Sequence, residues 1–542
     1  MLDAYFKVYY DARQQRQDRY NAALSSGSID PFVYPQDTLS ALVLLLAILF
    51  IPRLPIPKRA KKIASISTFV VVFSLCVSTA YRCRTVAFAG GYGVGLMCAW
   101  GIVVSGYLLV FNDLGTAFRR LERRDLKEKN GTVTENSPQS NSSGTTRTNC
   151  EHKSGSSGLN KRVWGVNGPA PVPTTEKQEH EGQPQYVLVW QGFPESFLHR
   201  LDWAIDLATS FRGVHWNWRI SPLPKREIPL EDPSNPASST VWSSPPSVMQ
   251  ALRRQATRDF IVQYLFIDLA KTLTITDPYF HGSATLSSPS PWPFLTNSTT
   301  LTYLVRLLIS LAAILSALTF VFSLSSLLYP LLPPSITLAP LHEPALYPPY
   351  WGPFAASVLD KGLPGFWGRW WHQMFRFGIS EPSRYLISTL GLQPRSQLTR
   401  VISVLTAFTL SGFIHAIASY TSFLPSRPLS GSFAFFMLQG LGVLGQPAFL
   451  KLVSANIYDT RRLPSWLRRL GNGLFVLAWL FLTGPLMAND FARCGVWLFE
   501  PLPVSLLRGF LGQGWWCWPG QRVMWWTGRS GENWWRKGIA VI

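Results

Sequence analysis

Seven stretches of the chain are apolar almost without interruption, each bounded by polar or charged residues: Thr38 to Pro52, Ile63 to Ala80, Val86 to Phe111, Leu304 to Tyr329, Val401 to Tyr420, Ser432 to Leu450 and Gly473 to Ala488. Most are long enough to cross about 30 Å of hydrocarbon as a helix. A further stretch, Phe260 to Thr276, is a weaker candidate because it carries Asp268 and Lys271. The pattern predicts an all-α, multi-pass transmembrane helical protein with about seven to nine spans. The first run lies behind a polar, charged head, whereas a cleavable signal peptide would place it much nearer Met1. It therefore reads as a retained transmembrane helix.

The same pattern divides the chain in three. Residues 1–111 form an N-terminal segment with three transmembrane helices. From Asn112 to Gln185 the chain turns to Ser, Asn, Thr, Gly, Glu and Lys, too poor in large apolar residues to fold, and 112–185 reads as a disordered cytoplasmic linker. It opens with FRRLERRDLKEK (118–129), a solvated charge run in preference to a helix lying on anionic lipid. Residues 186–542 hold the remaining runs, with Pro- and Ser-rich loops at Pro222 to Ser247 and His281 to Pro293. Arg53, Lys58, Arg59, Lys61 and Lys62 make the first short connector basic, which places it in the cytoplasm, and the long linker with it. The sequons at Asn130 and Asn141 would then carry no glycan; a glycan on either contradicts this topology.

Composition sharpens the class. Charged residues make up 15% of the chain, against roughly 25% in soluble domains, which excludes an ordinary soluble enzyme. Lys and Arg number 50 against 30 Asp and Glu, a net charge of +20, compatible with anionic lipid, an anionic cofactor or nucleic acid. No nucleic-acid recognition motif accompanies the charge, which leaves the bilayer and the cofactor. The six cysteines form no C-x-x-C pair, so neither a metal site nor a disulfide framework is indicated.

Two constellations carry chemistry. In Gly365 to Arg376 a helix would align Arg369, His372, Gln373 and Arg376 on one stripe and Trp367, Trp370, Trp371 and Met374 on another. Such a helix either lies in the membrane interface or presents two arginines, an amide and an imidazole to a phosphate-bearing cofactor. The second is Ser411-Gly-Phe-Ile-His415, inside an apolar run where an ionisable side chain is costly. Ser411, His415, Ser419 and Ser422 share one small, polar face, which either packs closely against another helix or lines a cavity. An imidazole kept from water stays neutral and is fit to take a proton from an alcohol near pH 7.

Other features read more plainly. Asp268 and Lys271 suit an i, i+3 ion pair, and Asp277-Pro278 ends a helix. In Arg212-Gly-Val-His-Trp-Asn-Trp218, a phosphate contact by Arg212 and interfacial anchoring by the tryptophans are equally good readings. Trp515, Trp516, Trp518, Trp525, Trp526, Trp534 and Trp535 suit an interfacial belt. G-x-S-x-G is absent and no cysteine sits in a recognisable Cys/His motif, so no covalent nucleophile is advertised.

FWGRWWHQ (366–373), followed about forty residues later by SGFIH (411–415), resembles the wax synthase-like branch of the membrane-bound O-acyltransferases, whose fungal members carry FWGRRWHQ and SGxxH motifs. RGVHWNW (212–218) is similar to their RGIGWNW element, and YLFIDL (264–269) with DPY (277–279) to their YLxxDL and DPY stretch. The resemblance runs from about Tyr186 to the C-terminus. It departs at Trp370, where a second Arg is common, and at His215, where Gly is usual. It implies an acyl-CoA co-substrate with no bound cofactor, a small-molecule alcohol acceptor, His415 as catalytic base and His372 as a second catalytic group. Arg369, Gln373, Arg376 and Arg212 are then expected at the coenzyme. By analogy with fungal relatives the donor is acetyl-CoA, the acceptor a terpenoid or polyketide-derived alcohol, and the location the endoplasmic reticulum. A long-chain wax or sterol ester synthase is the alternative within this class, and a transporter or scaffold the alternative outside it.

Overall fold

Fourteen α-helices occur among the described residues: α1 (Leu2–Ser26), α2 (Leu39–Phe50), α3 (Lys58–Arg82), α4 (Ala87–Gly90), α5 (Tyr92–Ser105), α6 (Phe197–Thr209), α7 (Pro246–Thr276), α8 (Thr299–Leu328), α9 (Asp360–Gly365), α10 (Arg376–Thr389), α11 (Gln397–Tyr420), α12 (Ala434–Asn456), α13 (Ser465–Cys494) and α14 (Leu506–Phe510). The computed structural model describes residues 2–125, 186–223, 246–282, 284–332, 339–341, 343, 346–518, 523–528 and 534–541. Seven helical stretches are long and apolar enough to cross a membrane: Gln36–Arg53, Lys58–Arg82, Tyr92–Val110, Thr299–Leu331, Gln397–Tyr420, Leu429–Asn456 and Ser465–Cys494. Each overlaps one of the seven apolar runs, so the protein is a multi-pass, predominantly helical membrane protein. α13 shows how such a helix is built: it exposes Leu477 and Leu482 and buries Thr483 and Asp490, apolar outward and polar inward, as hydrocarbon solvent requires.

α7, like α1, is a long helix outside the seven, and the polar residues that set α7 apart do not pair with each other. Asp268 accepts from the Ser505 hydroxyl and, at 2.9 Å, from Leu507 N. Lys271 donates to the Trp497 carbonyl and lies 4.0 Å from Glu500. The expected i, i+3 pair is thus replaced by three hydrogen bonds to the C-terminal segment, which the chain brings against α7 from more than two hundred residues away. Asp277 does end α7, accepting from Tyr279 N, and its carboxylate is also gripped by Arg306 of α8 at 2.7 and 2.9 Å.

The chain divides into two compact units: residues 1–122, 190–228 and 244–542, and residues 123–189 with 229–243. The described part of the second consists of strand residues 123–125 and 186–189. In the first unit α11 packs on α5, α10 and α12, α3 on α2 and α5, and α7 on α8. The three N-terminal spans thus share a unit with the helices carrying both constellations. The composition change at residue 112 does not reveal this, because the joint is made by close approach: a Cβ on Gly95 of α5 would stand 2.5 Å from Ala418 Cα of α11. A three-stranded sheet, β1 (Val33–Tyr34), β5 (Gly538–Val541) and β4 (Val523–Trp526), pairs Val33 with Ala540 and Val523 with Val541. It therefore ties the head of the chain to the end that bears Trp525 and Trp526.

The expected linker begins later than residue 112. Leu114, Phe118 and Leu121 are buried, and Arg120 to Asp125 is a strand, not a helix or a solvated run. Arg120 is fully buried and is held by Asp202, by Asp206 at 3.1 Å and by Gln191 Oε1 at 2.7 Å. Three partners from α6 and its approach turn a charge that reads as solvated into a buried cross-link. The rest of the linker, its two sequons and most of the Pro222 to Ser247 loop lie outside the described residues.

Candidate active site

Gly365 to Arg376 is not one continuous helix. A π-helical turn at Phe366–Trp370 follows α9, Trp371 is extended (φ −57, ψ 145), and α10 starts only at Arg376. The end of a helix leaves carbonyls without partners, and the expected polar stripe supplies them. Gln373 Nε2 donates to Trp367 O at 3.0 Å and to Trp371 O. Arg376 Nη1 donates to Gly368 O at 2.8 Å and to Gln373 Oε1 at 2.7 Å. Gln373 and Arg376 thus shape the segment that carries His372. Arg369 is exposed and has no hydrogen-bond partner among the described residues. Burial, together with Arg384 and Arg369, lowers the pKa of Arg376, marking a locally cationic end.

Arg212 serves the chain entering this segment. Its Nη1 donates to Pro349 O at 2.8 Å, its Nη2 to Pro348 O at 2.7 Å, and its guanidinium lies 4.2 Å from the Tyr350 ring centroid. The tryptophans downstream are not interfacial anchors: Trp216 is fully buried and meets Trp203 edge to face. His215 Nε2 lies 2.8 Å from Asp206 Oδ2. Burial raises the Asp206 carboxyl, but His215 and Arg120 outweigh it and hold the group below the usual carboxylate range. The histidine that departs from the resembled motif is thereby part of the Arg120–Asp206 cross-link.

His372 sits among aromatic rings, with centroids of Trp371, Phe375, Phe322 and Trp351 at 5.4, 5.7, 5.8 and 6.0 Å. Burial, and then the neighbouring His415 imidazole, push its pKa down to about 3, so it is a neutral imidazole at cellular pH. His415 projects from α11. Its Nδ1 lies 2.8 Å from the Ser411 carbonyl oxygen. A carbonyl oxygen only accepts, so Nδ1 carries the proton and the lone pair is on Nε2. Phe436 of α12 packs on the imidazole at 4.3 Å between centroids, and Tyr92 of α5 lies at 6.5 Å. The structure thus brings together the two histidines picked out forty-three positions apart. Phe436 and Phe322 carry no polar group, and these two and Tyr92 stand outside any motif, so sequence reasoning did not find them.

Residues 347–438 match the family model described as the Membrane bound O-acyl transferase family. The matched segment contains both histidines and Phe436. Across a longer span the chain is similar to an acetyltransferase of Rhodocybe pseudopiperita, 26% identical over 294 residues covering 54% of this chain and 66% of the relative. It is similar to an acetyltransferase of Aspergillus fumigatus, 27% identical over 298 residues, 52% of this chain and 46% of the relative. An O-Mevalon transferase of Aspergillus niger is 28% identical over 263 residues, 45% of this chain and 52% of the relative. The chain spans less than two thirds of the length of these curated relatives. No solved structure matches it.

Proposed function

We propose that the protein is an acyl-CoA-dependent O-acyltransferase of the endoplasmic reticulum membrane that moves an acetyl group from acetyl-CoA to a hydroxyl of a small terpenoid or polyketide-derived alcohol. The carrying observation is the tautomer of His415, fixed by the Nδ1 to Ser411 carbonyl bond, with Nε2 left to act as a base. Nε2 takes the proton of the acceptor hydroxyl as its oxygen attacks the thioester carbonyl carbon. The tetrahedral intermediate collapses with cleavage of the carbon–sulfur bond, and the imidazolium returns its proton to the departing thiolate. A positioned base contributes about a hundred- to ten-thousand-fold to such a step. His372, neutral and able to donate one N–H, is placed to stabilise the oxyanion. Arg369, exposed and without a side-chain hydrogen-bond partner among the described residues, is left to meet a coenzyme phosphate, while Gln373, Arg376 and Arg212 act by shaping its surroundings.

The sidedness supports access of a soluble thioester. The Thr85 to Ser422 bridge and the Phe423 N to Gly90 O bond set the C-terminal ends of α3 and α11 together, so their N-terminal ends share the opposite face. Ser432 donates to Asp490 Oδ2 and Cys494 Sγ lies 3.7 Å from Ser419 Oγ, which sets the start of α12 and the end of α13 beside the end of α11; the opposite face therefore collects Lys58, Lys61 and Lys62, Arg461 and Arg462 of the α12 to α13 turn, and Arg468 and Arg469 at the start of α13. By the positive-inside rule it is cytoplasmic, where acyl-CoA is found. The names of the acetyltransferase relatives favour the short donor. Microsomes containing the protein, given labelled acetyl-CoA or palmitoyl-CoA with a crude alcohol extract, should form labelled acetyl esters; palmitoyl esters without acetyl esters would redirect the assignment to wax or sterol ester synthesis.

A further inference from the structure

The segment before His372 is broken three times where the chain is buried in protein. A π-helical turn at Ala355–Leu359 leads into α9, Gly362 within α9 adopts φ 63 and ψ −144, and the second π-helical turn stops at Trp371. Irregular backbone in such surroundings must find protein partners for its polar groups. Gln446 of α12 and Asn472 of α13 supply two of them. Gln446 Oε1 accepts from Leu363 N at 2.8 Å, its Nε2 donates to Asn472 Oδ1 at 3.1 Å, and Asn472 Nδ2 donates to Leu359 O at 2.8 Å. A Cβ on Gly362 would stand 2.2 Å from Gln446 Nε2, so the break and the glutamine fit only each other.

Seven residues earlier on the same face, Gln439 is fully buried and does something different. Its Oε1 accepts from the Trp367 indole at 3.2 Å, and its Nε2 donates to Thr483 Oγ1 at 2.9 Å. Trp367 packs on Trp371 at 5.4 Å, and Trp371 on His372 at 5.4 Å. One turn before Gln439, Phe436 packs on His415 at 4.3 Å and on Trp367 at 6.0 Å. One turn of α12 therefore touches the support of each histidine, and Gln439 is its polar bond to the His372 side.

We propose that Gln439 is the positioning residue that sets the separation of His372 and His415. This rests on the two-histidine reading of the reaction. A shift of about 1 Å in a reacting group costs about a hundredfold in rate, so losing this anchor lowers turnover while leaving coenzyme binding at Arg369 alone.

The test uses labelled acetyl-CoA and a crude alcohol extract with full-length wild type, Gln439→Leu, Trp367→Phe, the double variant and His415→Ala, with a thermal midpoint for each. Expected are a ten- to hundredfold loss of kcat in Gln439→Leu, an unchanged KM for acetyl-CoA, and a double variant no slower than the worse single one, because both substitutions delete one bond. Thr483→Val, which frees the other end of Gln439, should show a smaller loss of the same kind, and takes the place of Gln439→Leu should that variant not fold. Wild-type kcat in Gln439→Leu, multiplicative losses in the double variant, or a loss carried by KM would overturn the positioning role while His415→Ala stays inactive. An active His415→Ala, or a wild type that transfers no label, would instead remove the underlying reading.

Discussion

At the scale of single residues, the two histidines of the site are held differently, and their tasks differ accordingly. His415 is oriented by one hydrogen bond that commits its Nδ1 proton to Ser411 O. The Nδ1 of His372 is buried without a partner among the described residues, and burial beside His415 holds the ring neutral. A group of this kind contributes a donor, and a donor can be replaced in kind. His372→Asn, which keeps an N–H, should retain a substantial fraction of kcat, whereas His372→Ala should lose about a hundredfold or more. Equal, small losses in steady-state turnover for the two variants would show that His372 does not stabilise charge in the transition state.

Elements are where charges read from the sequence changed meaning. The strand at Arg120–Asp125 falls in a stretch whose composition reads as solvated, because composition does not register that Asp202 and Asp206 lie four apart on α6 and converge on one guanidinium. Removing one side of a buried, paired charge group is expensive, about 3–5 kcal/mol. Arg120→Met should therefore lower the unfolding midpoint of the detergent-solubilised protein by several degrees; an unchanged midpoint would mean that this strand is dispensable. The spans were legible because a period-free apolar run needs only length to be recognised. The breaks around Gly362 and Trp371 were not, because Gln373, Gln439 and Gln446 stabilise them from positions without a local pattern, and the sequence between them scores as an amphipathic helix.

For the molecule as a whole, buried histidines set an acid limit. His281, at the end of α7, is pushed down to about 4, first by burial and then by Lys271, and His372 to about 3. Both folded-state values lie below the unfolded value of about 6.5. The unfolded chain therefore binds more protons as pH falls: the contribution is complete above about 6.5 and is lost toward 4, at about 1 kcal/mol per pH unit for each group. The thermal midpoint should fall from pH 7 to pH 5, and His281→Phe should flatten that fall; a midpoint independent of pH would contradict the burial of these rings. At this scale the membrane class and both histidine motifs were legible, but not the packing of α5 on α11, which puts helices from both sides of the linker in one unit. Helix contacts made through glycine leave too little trace in hydropathy to be seen beforehand.

The central claim is that His415 removes the proton of an acceptor hydroxyl. Its most direct test compares wild type and His415→Ala microsomes given labelled acetyl-CoA and a crude alcohol extract. The account predicts labelled esters in the wild type and a loss of about a hundred- to ten-thousand-fold in the variant at unchanged protein level. Equal labelling in the two would remove His415 from the chemistry and the proposed mechanism with it.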